Sequence, residues 1–359
     1  MQIFNKFIRL KKVYIFFSSF VLFIIIFSTT YLHANTFKVS NVQISSPFVL
    51  NFEKNTVIDN GFKTSFFNLL TMITTSGDRD KVKNTPIIEI KNMIDSFTIS
   101  EEKFINNEYF ANLETFFDKK KVLKFIERKN IFPSIPLRKK VLLIPILIDV
   151  QTDSVYFFDD NIFYEMWNHE KNNFQLLEYI LPSEDLGDLN QIQNIKSDIE
   201  THDFSKLIEK YDLKDYIVLI IFKNKSEIKI LSKIALNNSL ILNNKRYDKI
   251  DLKNANEAQK LIIELKNIYE DEWKKNNEIN TSIKFPIKIS VNSKNYKKII
   301  EVENALENID LISEFYILKF NNQNTLFKIT YNGSPKLFLS DMNKQNLDLN
   351  ISENVWTIK

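Results

Sequence analysis

The sequence predicts an α+β protein built from small modules in series after an export signal. Apolar residues recur at every second position in some stretches and at helical spacing in others, and the two kinds alternate along the chain. Pro133 and Pro136 stand close together between two such groups, which is typical of a linker. The stretches after residue 281 follow the order β-α-β-β-α-β, which predicts a ferredoxin-like C-terminal module.

The first module, residues 35–135, is predicted to be an α+β unit of order β-α-α-β-β-α. Its strands are predicted at residues 37–44, 97–99 and 109–117, and its helices at residues 58–73, from Pro86 and after Asp118. Asn106 and Asn107 predict a turn between the last two strands. The module therefore has the pattern of a small sandwich.

The two remaining modules are predicted at residues 136–280 and 281–359. The middle one opens with an apolar strand at 141–148, continues with alternating strands and helices, and ends with a β-meander and a long helix from Asn254. We expect an α/β layer with a mixed sheet. The last module has helices beginning after Ser293 and at Pro335.

Residues 1–34 have the composition of a secretory signal peptide. Lys6, Arg9, Lys11 and Lys12 precede an apolar run at 13–27, and small Ala34 before Asn35 marks a cleavage point. If cleavage does not occur, the segment is long enough to anchor the chain in the inner membrane. Both alternatives place the body in the periplasm, with the leader as its only membrane segment.

The composition narrows the possible partners. With 44% apolar residues among 359, the chain can form real cores. Removing the four basic residues of the leader from 48 leaves 44, against 45 acidic residues, a net charge of −1. This balance gives no electrostatic basis for binding nucleic acid. The chain has no Cys, so disulfides and thiolate chemistry are excluded.

Few residues suggest a metal site or acid–base chemistry. Glu165 and His169 have the i, i+4 spacing that places two ligands on one helix face, but no third ligand is spaced to join them. His202 stands in an acidic stretch that is explained more simply by solvation and helix capping. Asp149 ends a predicted strand, where α/β sheets tend to bind ligands. We predict no metal site and no catalytic residues, and keep these four as candidates to examine.

Other chemistry finds no support in the sequence. A nucleophile elbow of the form Gly-x-Ser-x-Gly is absent, and the four Gly residues cannot form a phosphate-binding loop. No cofactor is therefore predicted. Tyr156, Phe157 and Phe158 stand in an otherwise polar stretch, which suggests an exposed patch for contact with a partner.

A set of short motifs spread over the mature chain carries a resemblance to a known family. They are Phe37-x-Val39-x-Asn41-Val42, the helix with Phe62, Leu69 and Leu70, Ile94-x-Ser96-Phe97-x-Ile99-x-Glu101-Glu102, Phe116-Phe117-Asp118-x-x-x-Val122, Leu143-Ile144-Pro145-Ile146, Trp167 and Trp356. The chain resembles the exported bacterial family called domain of unknown function 2066 (DUF2066). The resemblance implies an exported protein of unknown activity and carries no functional residues with it.

The sequence favours a non-catalytic protein of the cell envelope that binds another envelope protein or the cell wall. Small modules of this kind bind partners through exposed strand edges and loops. One alternative is a cation-binding protein or hydrolase that uses the acidic loops of the middle module. Another is a scaffold tethered to the inner membrane by an uncleaved leader.

Overall fold

The computed structural model describes residues 36–169, 173–279, 283–351 and 355–358. These residues form an α+β fold, which confirms the predicted class. The described chain divides into two compact units, one made of residues 36–61, 88–125 and 283–358 and the other of residues 62–87 and 126–279. The predicted signal peptide and its cleavage point between Ala34 and Asn35 lie outside the described residues. The boundaries of three serial domains stay a prediction.

The N-terminal part is an antiparallel sheet with helices between its strands. It contains β1 (Thr36–Pro47), α1 (Lys54–Ile73), α2 (Ser76–Arg79), α3 (Ile87–Met93), β2 (Ile94–Ile105), β3 (Glu108–Asp118) and α4 (Lys119–Arg128). The strand order is β1-β3-β2, so β1 and β2 are both edge strands. Asn106 and Asn107 have φ of 52° and 60°, which confirms the predicted turn between β2 and β3.

Helix α1 begins on one face of this sheet, where β1 turns Val42 and Ile44 inward. Gly61 permits the close approach, because a Cβ at that position would lie 2.8 Å from side-chain atoms of Ile44 and Leu113. A β-bulge interrupts β1 at Asn41, which has a φ of 59°. The regular part of the β1 edge therefore extends from Val42 to Pro47.

The middle part is a mixed six-stranded sheet, as predicted. It contains β4 (Lys139–Asp149), β5 (Ser154–Tyr156), α5 (Ile162–Met166), β6 (Leu177–Ile180), α6 (Leu186–Asn194), a 3-10 turn (Lys196–Asp198), α7 (Ser205–Glu209), β7 (Tyr216–Asn224), β8 (Glu227–Leu236), β9 (Ser239–Tyr247) and α8 (Ala255–Asn276). The strand order is β5-β4-β7-β8-β9, and β6 also pairs with β4. Strands β6, β4 and β7 are parallel to one another, and β5, β8 and β9 are antiparallel to their neighbours.

Strand β4 lies inside this sheet, between β7 and the short strands β5 and β6, and is buried on both faces, which explains its continuous apolar sequence. On one face Leu143 belongs to the same core as Trp167 and the apolar side of α8. On the other face Ile144 and Ile146 share a core with Ile192 of α6. Successive side chains of β4 point to opposite faces of the sheet, so its apolar residues contribute to both cores.

The C-terminal part is a five-stranded sheet with two helices. It contains β10 (Phe285–Asn292), α9 (Tyr296–Asn308), β11 (Ile312–Phe320), β12 (Asn324–Tyr331), α10 (Pro335–Lys344), β13 (Leu349–Asn350) and β14 (Trp356–Ile358). The order of elements through β13 is the predicted β-α-β-β-α-β. The strand order in the sheet is β11-β12-β10-β14-β13.

The sheet closes differently from a simple ferredoxin-like sheet, whose last strand would be antiparallel to the first. Here β14 lies between β10 and β13 and runs parallel to β10. Trp356 holds β14 in this position, since its ring lies 5.8 Å from that of Phe338 and 6.3 Å from that of Phe285. The C-terminal module is therefore a split β-α-β arrangement with one added strand.

Candidate functional site

Asp149 is held in a turn by structural contacts. Its carboxylate accepts a hydrogen bond from Lys223 Nζ at 2.7 Å and from the backbone N–H groups of Gln151 and Thr152 at 3.0 and 3.3 Å. The bond from Lys223 lowers the pKa of Asp149. These contacts use the lone pairs of the carboxylate, so the residue closes the turn after β4 and joins that turn to β7.

The other three candidates do not join Asp149 in a site. Glu165 lies on α5, and His169 lies just beyond the end of that helix. The His202 ring packs edge-on against Phe204, and its Nε2 atom has no hydrogen-bond partner within the described structure. In the residues that the structure describes, no group of three or more His, Asp or Glu side chains is placed to hold a metal ion. Among the described residues these candidates therefore do not form a metal-binding cluster.

The prediction of an exposed patch at Tyr156, Phe157 and Phe158 is wrong. Phe157 and Phe158 are buried, and Tyr156 is partly buried against the core around β4. The ring of Phe158 contacts those of Phe157 and Tyr164 at 4.3 and 5.3 Å. Phe157 and Phe158 share a core with helices α6 and α7, which come about 30 to 50 residues later in the chain. The local sequence therefore did not reveal that these helices bury the two rings.

An acidic cleft of about 450 Å³ lies beside β5 and the start of α6. Asp159, Asp160, Glu184 and Asp185 line it together with Gln193 and several apolar side chains, and the described part of the lining contains no Lys or Arg. Asp185 is the N-cap of α6, where its carboxylate accepts the backbone N–H of Asp188 and has a lowered pKa as a result. At least one of the four acids thus has a structural role.

The most exposed apolar surface of the N-terminal part is one that the sequence analysis missed. Phe48, Val49, Leu50, Phe104 and Ile105 each expose half or more of their surface. We call these five residues the apolar tip. They come from two segments, the loop after β1 and the end of β2. A run of three large apolar residues directly after Pro47, where the strand must end, was the available signal.

Backbone and aromatic contacts join the two segments of the apolar tip. The N–H of Phe48 donates to the carbonyl of Asn107 at 2.7 Å, which ties the loop to the turn between β2 and β3. The ring of Phe48 lies 5.0 Å from those of Phe52 and Phe104. The ring of Phe104 lies 5.2 Å from that of Tyr109, which is fully buried. The exposed rings of Phe48 and Phe104 thus pack on partly buried Phe52 and buried Tyr109.

A polar group fixes the inner side of the apolar tip. Glu102 accepts a hydrogen bond from Tyr109 Oη at 2.6 Å and forms an ion pair with Lys54. Burial and the bond to Glu102 raise the pKa of Tyr109 to about 12, so the phenol stays protonated and remains a donor. The bond from Lys54 lowers the pKa of Glu102. These contacts therefore join β2 and β3 to the start of α1 at the inner side of the tip.

A groove of about 350 Å³ lies next to the apolar tip, between the end of β1 and the first turns of α1. Its walls include Ser45 and Ser46 of β1, Val49 and Phe52 of the loop, and Val57 of α1. Val57 is buried, whereas Val49 is exposed. The groove thus has an apolar side and borders the outer edge of a strand.

The chain matches no protein-family model and no curated protein. Among the described residues, no helix combines the length and the apolar character needed to cross a bilayer.

Proposed function

We propose that the protein is an exported, non-catalytic protein of the cell envelope that binds another protein through the apolar tip. The observation that carries this proposal is the exposure of five large apolar side chains on two joined segments. Contiguous apolar surface of this kind marks interaction sites, because leaving it in water is unfavourable. A single exposed apolar residue such as Ile88 needs no such explanation.

The charges around the apolar tip favour a protein over an anionic membrane. Glu53, Glu101, Glu102 and Glu108 stand near it in the chain, against Lys54 and Lys103. Lys54 is already paired with Glu102. Binding to anionic lipid depends on clusters of Lys and Arg, which this surface lacks among the residues described.

Export rests on the composition of residues 1–34, and the proposed location is the periplasm. Membership of DUF2066 is part of the same proposal and rests on the motifs quoted above. An uncleaved leader would make the protein a tethered scaffold. N-terminal sequencing of the mature protein distinguishes the two, since cleavage gives a chain that begins at Asn35.

Site-specific photo-crosslinking in intact cells tests the binding proposal. p-Benzoylphenylalanine would replace Leu50 of the apolar tip in one variant and Ile88 in a control variant. Ile88 of α3 is 72% exposed, and the other apolar side chains of that helix are buried or partly buried. We expect one crosslinked protein of defined mass from position 50 and none from position 88. Identical adducts at both positions, or only lipid adducts at position 50, would contradict the proposal.

Cation binding in the acidic cleft is the second candidate function. The observation in its favour is that four acids line the cleft, with no basic side chain among its described lining residues. Isothermal titration with Ca²⁺, Mg²⁺ and spermidine tests it, with Glu184→Gln as the matched variant. Binding that the variant weakens would support this function, and the absence of heat for all three cations would exclude those ligands.

A further inference from the structure

We propose that an extended segment of the partner protein adds as a strand to the outer edge of β1 and places an apolar side chain in the groove beside α1. This inference rests on the proposed function, since it specifies how a protein would be recognised next to the apolar tip. Strand addition uses backbone hydrogen bonds for affinity and side-chain pockets for selectivity.

The backbone groups that face outward on β1 follow from the hydrogen bond at Phe48. Residues of an antiparallel pair alternate between those bonded to the partner strand and those directed away from it. The N–H of Phe48 points inward, because it donates to Asn107. The register is regular from Val42 to Pro47, so Gln43 and Ser45 direct their N–H and C=O groups outward.

Pro47 independently supports this assignment. It occupies the next outward position after Ser45, and proline in a sheet is confined to positions where no N–H is needed for the ladder. No described strand pairs with the outer side of β1. An added segment would therefore meet two complete donor and acceptor sets, at Gln43 and Ser45, and one further acceptor at Pro47.

The groove limits and selects the added segment. The bulge at Asn41 ends the regular edge, so only about six residues can pair. Val49, Phe52 and Val57 offer apolar contact to one side chain of the segment. Glu53 is the one charged residue in the described lining of the groove. We therefore expect the added segment to be an extended peptide with an apolar residue next to Lys or Arg.

A second copy of the chain fits this edge less well. Antiparallel pairing of two β1 strands through Gln43 and Ser45 would place the bulged Asn41 opposite Pro47 of the other copy. A bulge twists its strand away from a neighbour. The short regular edge thus favours a single peptide strand.

A phage-displayed library of random 12-residue peptides, selected on the mature chain from residue 35, tests the proposal. Affinities of the selected peptides would be measured by fluorescence polarisation against two variants, Ser45→Pro and Ser45→Ala. Both remove the hydroxyl, but only Ser45→Pro removes the outward N–H, and neither removes an N–H that the β1–β3 ladder uses. Thermal unfolding of both variants checks that the fold is retained.

We expect the selected peptides to contain an apolar residue beside Lys or Arg. Their affinity for Ser45→Ala should be unchanged. Their binding to Ser45→Pro should be about tenfold weaker, because one backbone hydrogen bond is lost. Val49→Lys should weaken the same peptides. Equal binding to the two Ser45 variants, or failure to select any peptide, would overturn strand addition. A dimer in light scattering that Ser45→Pro dissociates would overturn it in favour of a second copy.

The crosslinking experiment at Leu50 tests strand addition separately from the proposed function, which is protein binding through the apolar tip. A protein crosslinked at position 50 whose yield does not change with Ser45→Pro leaves the binding function intact and removes strand addition. The absence of any protein adduct at position 50 removes the function itself.

Discussion

Replacing Glu270 with Ala tests how far the second unit depends on a buried ion pair within α8. The side chains of Glu270 and Lys274 are only 4% and 2% exposed, and their charged atoms lie 3.7 Å apart. Glu270 Oε1 accepts the N–H groups of Leu176 and Leu177 at 2.8 and 2.7 Å. Lys274 Nζ donates to the carbonyl of Thr71 at 2.6 Å. The pair therefore connects α8 to the start of β6 and to the end of α1.

The expected loss follows from what the substitution leaves unpaired. Burial raises the pKa of Glu270 and lowers the pKa of Lys274, and both shifts record the cost of holding charges away from water. Glu270→Ala leaves two buried backbone N–H groups without their acceptor and the buried Lys274 charge without its carboxylate partner, although Lys274 keeps its bond to Thr71. We expect the free energy of unfolding to fall by about 3–5 kcal/mol. Glu270→Gln keeps an acceptor oxygen and should lose less.

The control is Glu272→Ala, two positions further along α8. Glu272 forms an ion pair with Lys275 at 2.7 Å, and the two side chains are 17% and 56% exposed. A pair that keeps this contact with water contributes about 0–1 kcal/mol, so this variant should lose no more than that. Urea unfolding followed by tryptophan fluorescence measures both. Trp356→Phe as background restricts the signal to the second unit, which holds Trp167 and Trp273.

The comparison of the two variants has a clear contrary result. Suppose that Glu270→Ala and Glu272→Ala lower the free energy of unfolding equally, each by less than about 1 kcal/mol. The buried pair is then not a determinant of stability. The reasoning from desolvation would then be refuted for this helix.

Two further predictions concern a turn and a helix packing contact. Asp149 has a lowered pKa in the folded state, so its contribution to stability is present above pH ~4 and is lost as the pH falls through the folded value. Asp149→Asn should be less stable by about 1 kcal/mol at pH 7, and urea titrations should show this difference shrinking as the pH falls through the folded pKa of Asp149. A difference that does not depend on pH would contradict the reasoning. Gly61→Ala places a Cβ within 2.8 Å of side-chain atoms of Ile44 and Leu113. This contact should lower the free energy of unfolding by about 1–3 kcal/mol, which is more than the higher helix propensity of Ala contributes. Gly77→Ala, with no atom within 4 Å of its Cβ, is the control, and thermal melts that rank the two equally would contradict the packing argument.

The sequence was most informative where local physics decides the structure. The change of apolar spacing located most strands and helices, because burial on one face imposes the period of the element. The turn at Asn106 and Asn107 was predictable because Asn tolerates positive φ better than most residues. Capping at Asp185 is equally local, since the side chain accepts an N–H three residues later, but the sequence analysis did not predict it.

Features that depend on distant cover could not be predicted. Phe157 and Phe158 were expected to be exposed because their neighbours are polar, yet they share a core with helices that come much later in the chain. Phe48 and Leu50 are exposed for the opposite reason, since no described element covers them. The position of β14 depends on ring contacts of Trp356 with residues far away in sequence. In each case exposure or strand order is a tertiary property.

The direction of β1 connects the leader to the proposed binding surface. The strand begins at Thr36, directly after the leader, and ends at Pro47, next to the apolar tip. Its 12 residues span roughly 36 Å at about 3.3 Å per residue, so the tip and the leader attach at opposite ends of one strand. An uncleaved leader would therefore join the chain at the end of β1 that is farther from the apolar tip. A protein crosslinked at Leu50 is then captured about the length of this strand away from that junction, so the adduct reports on the tip and not on the leader.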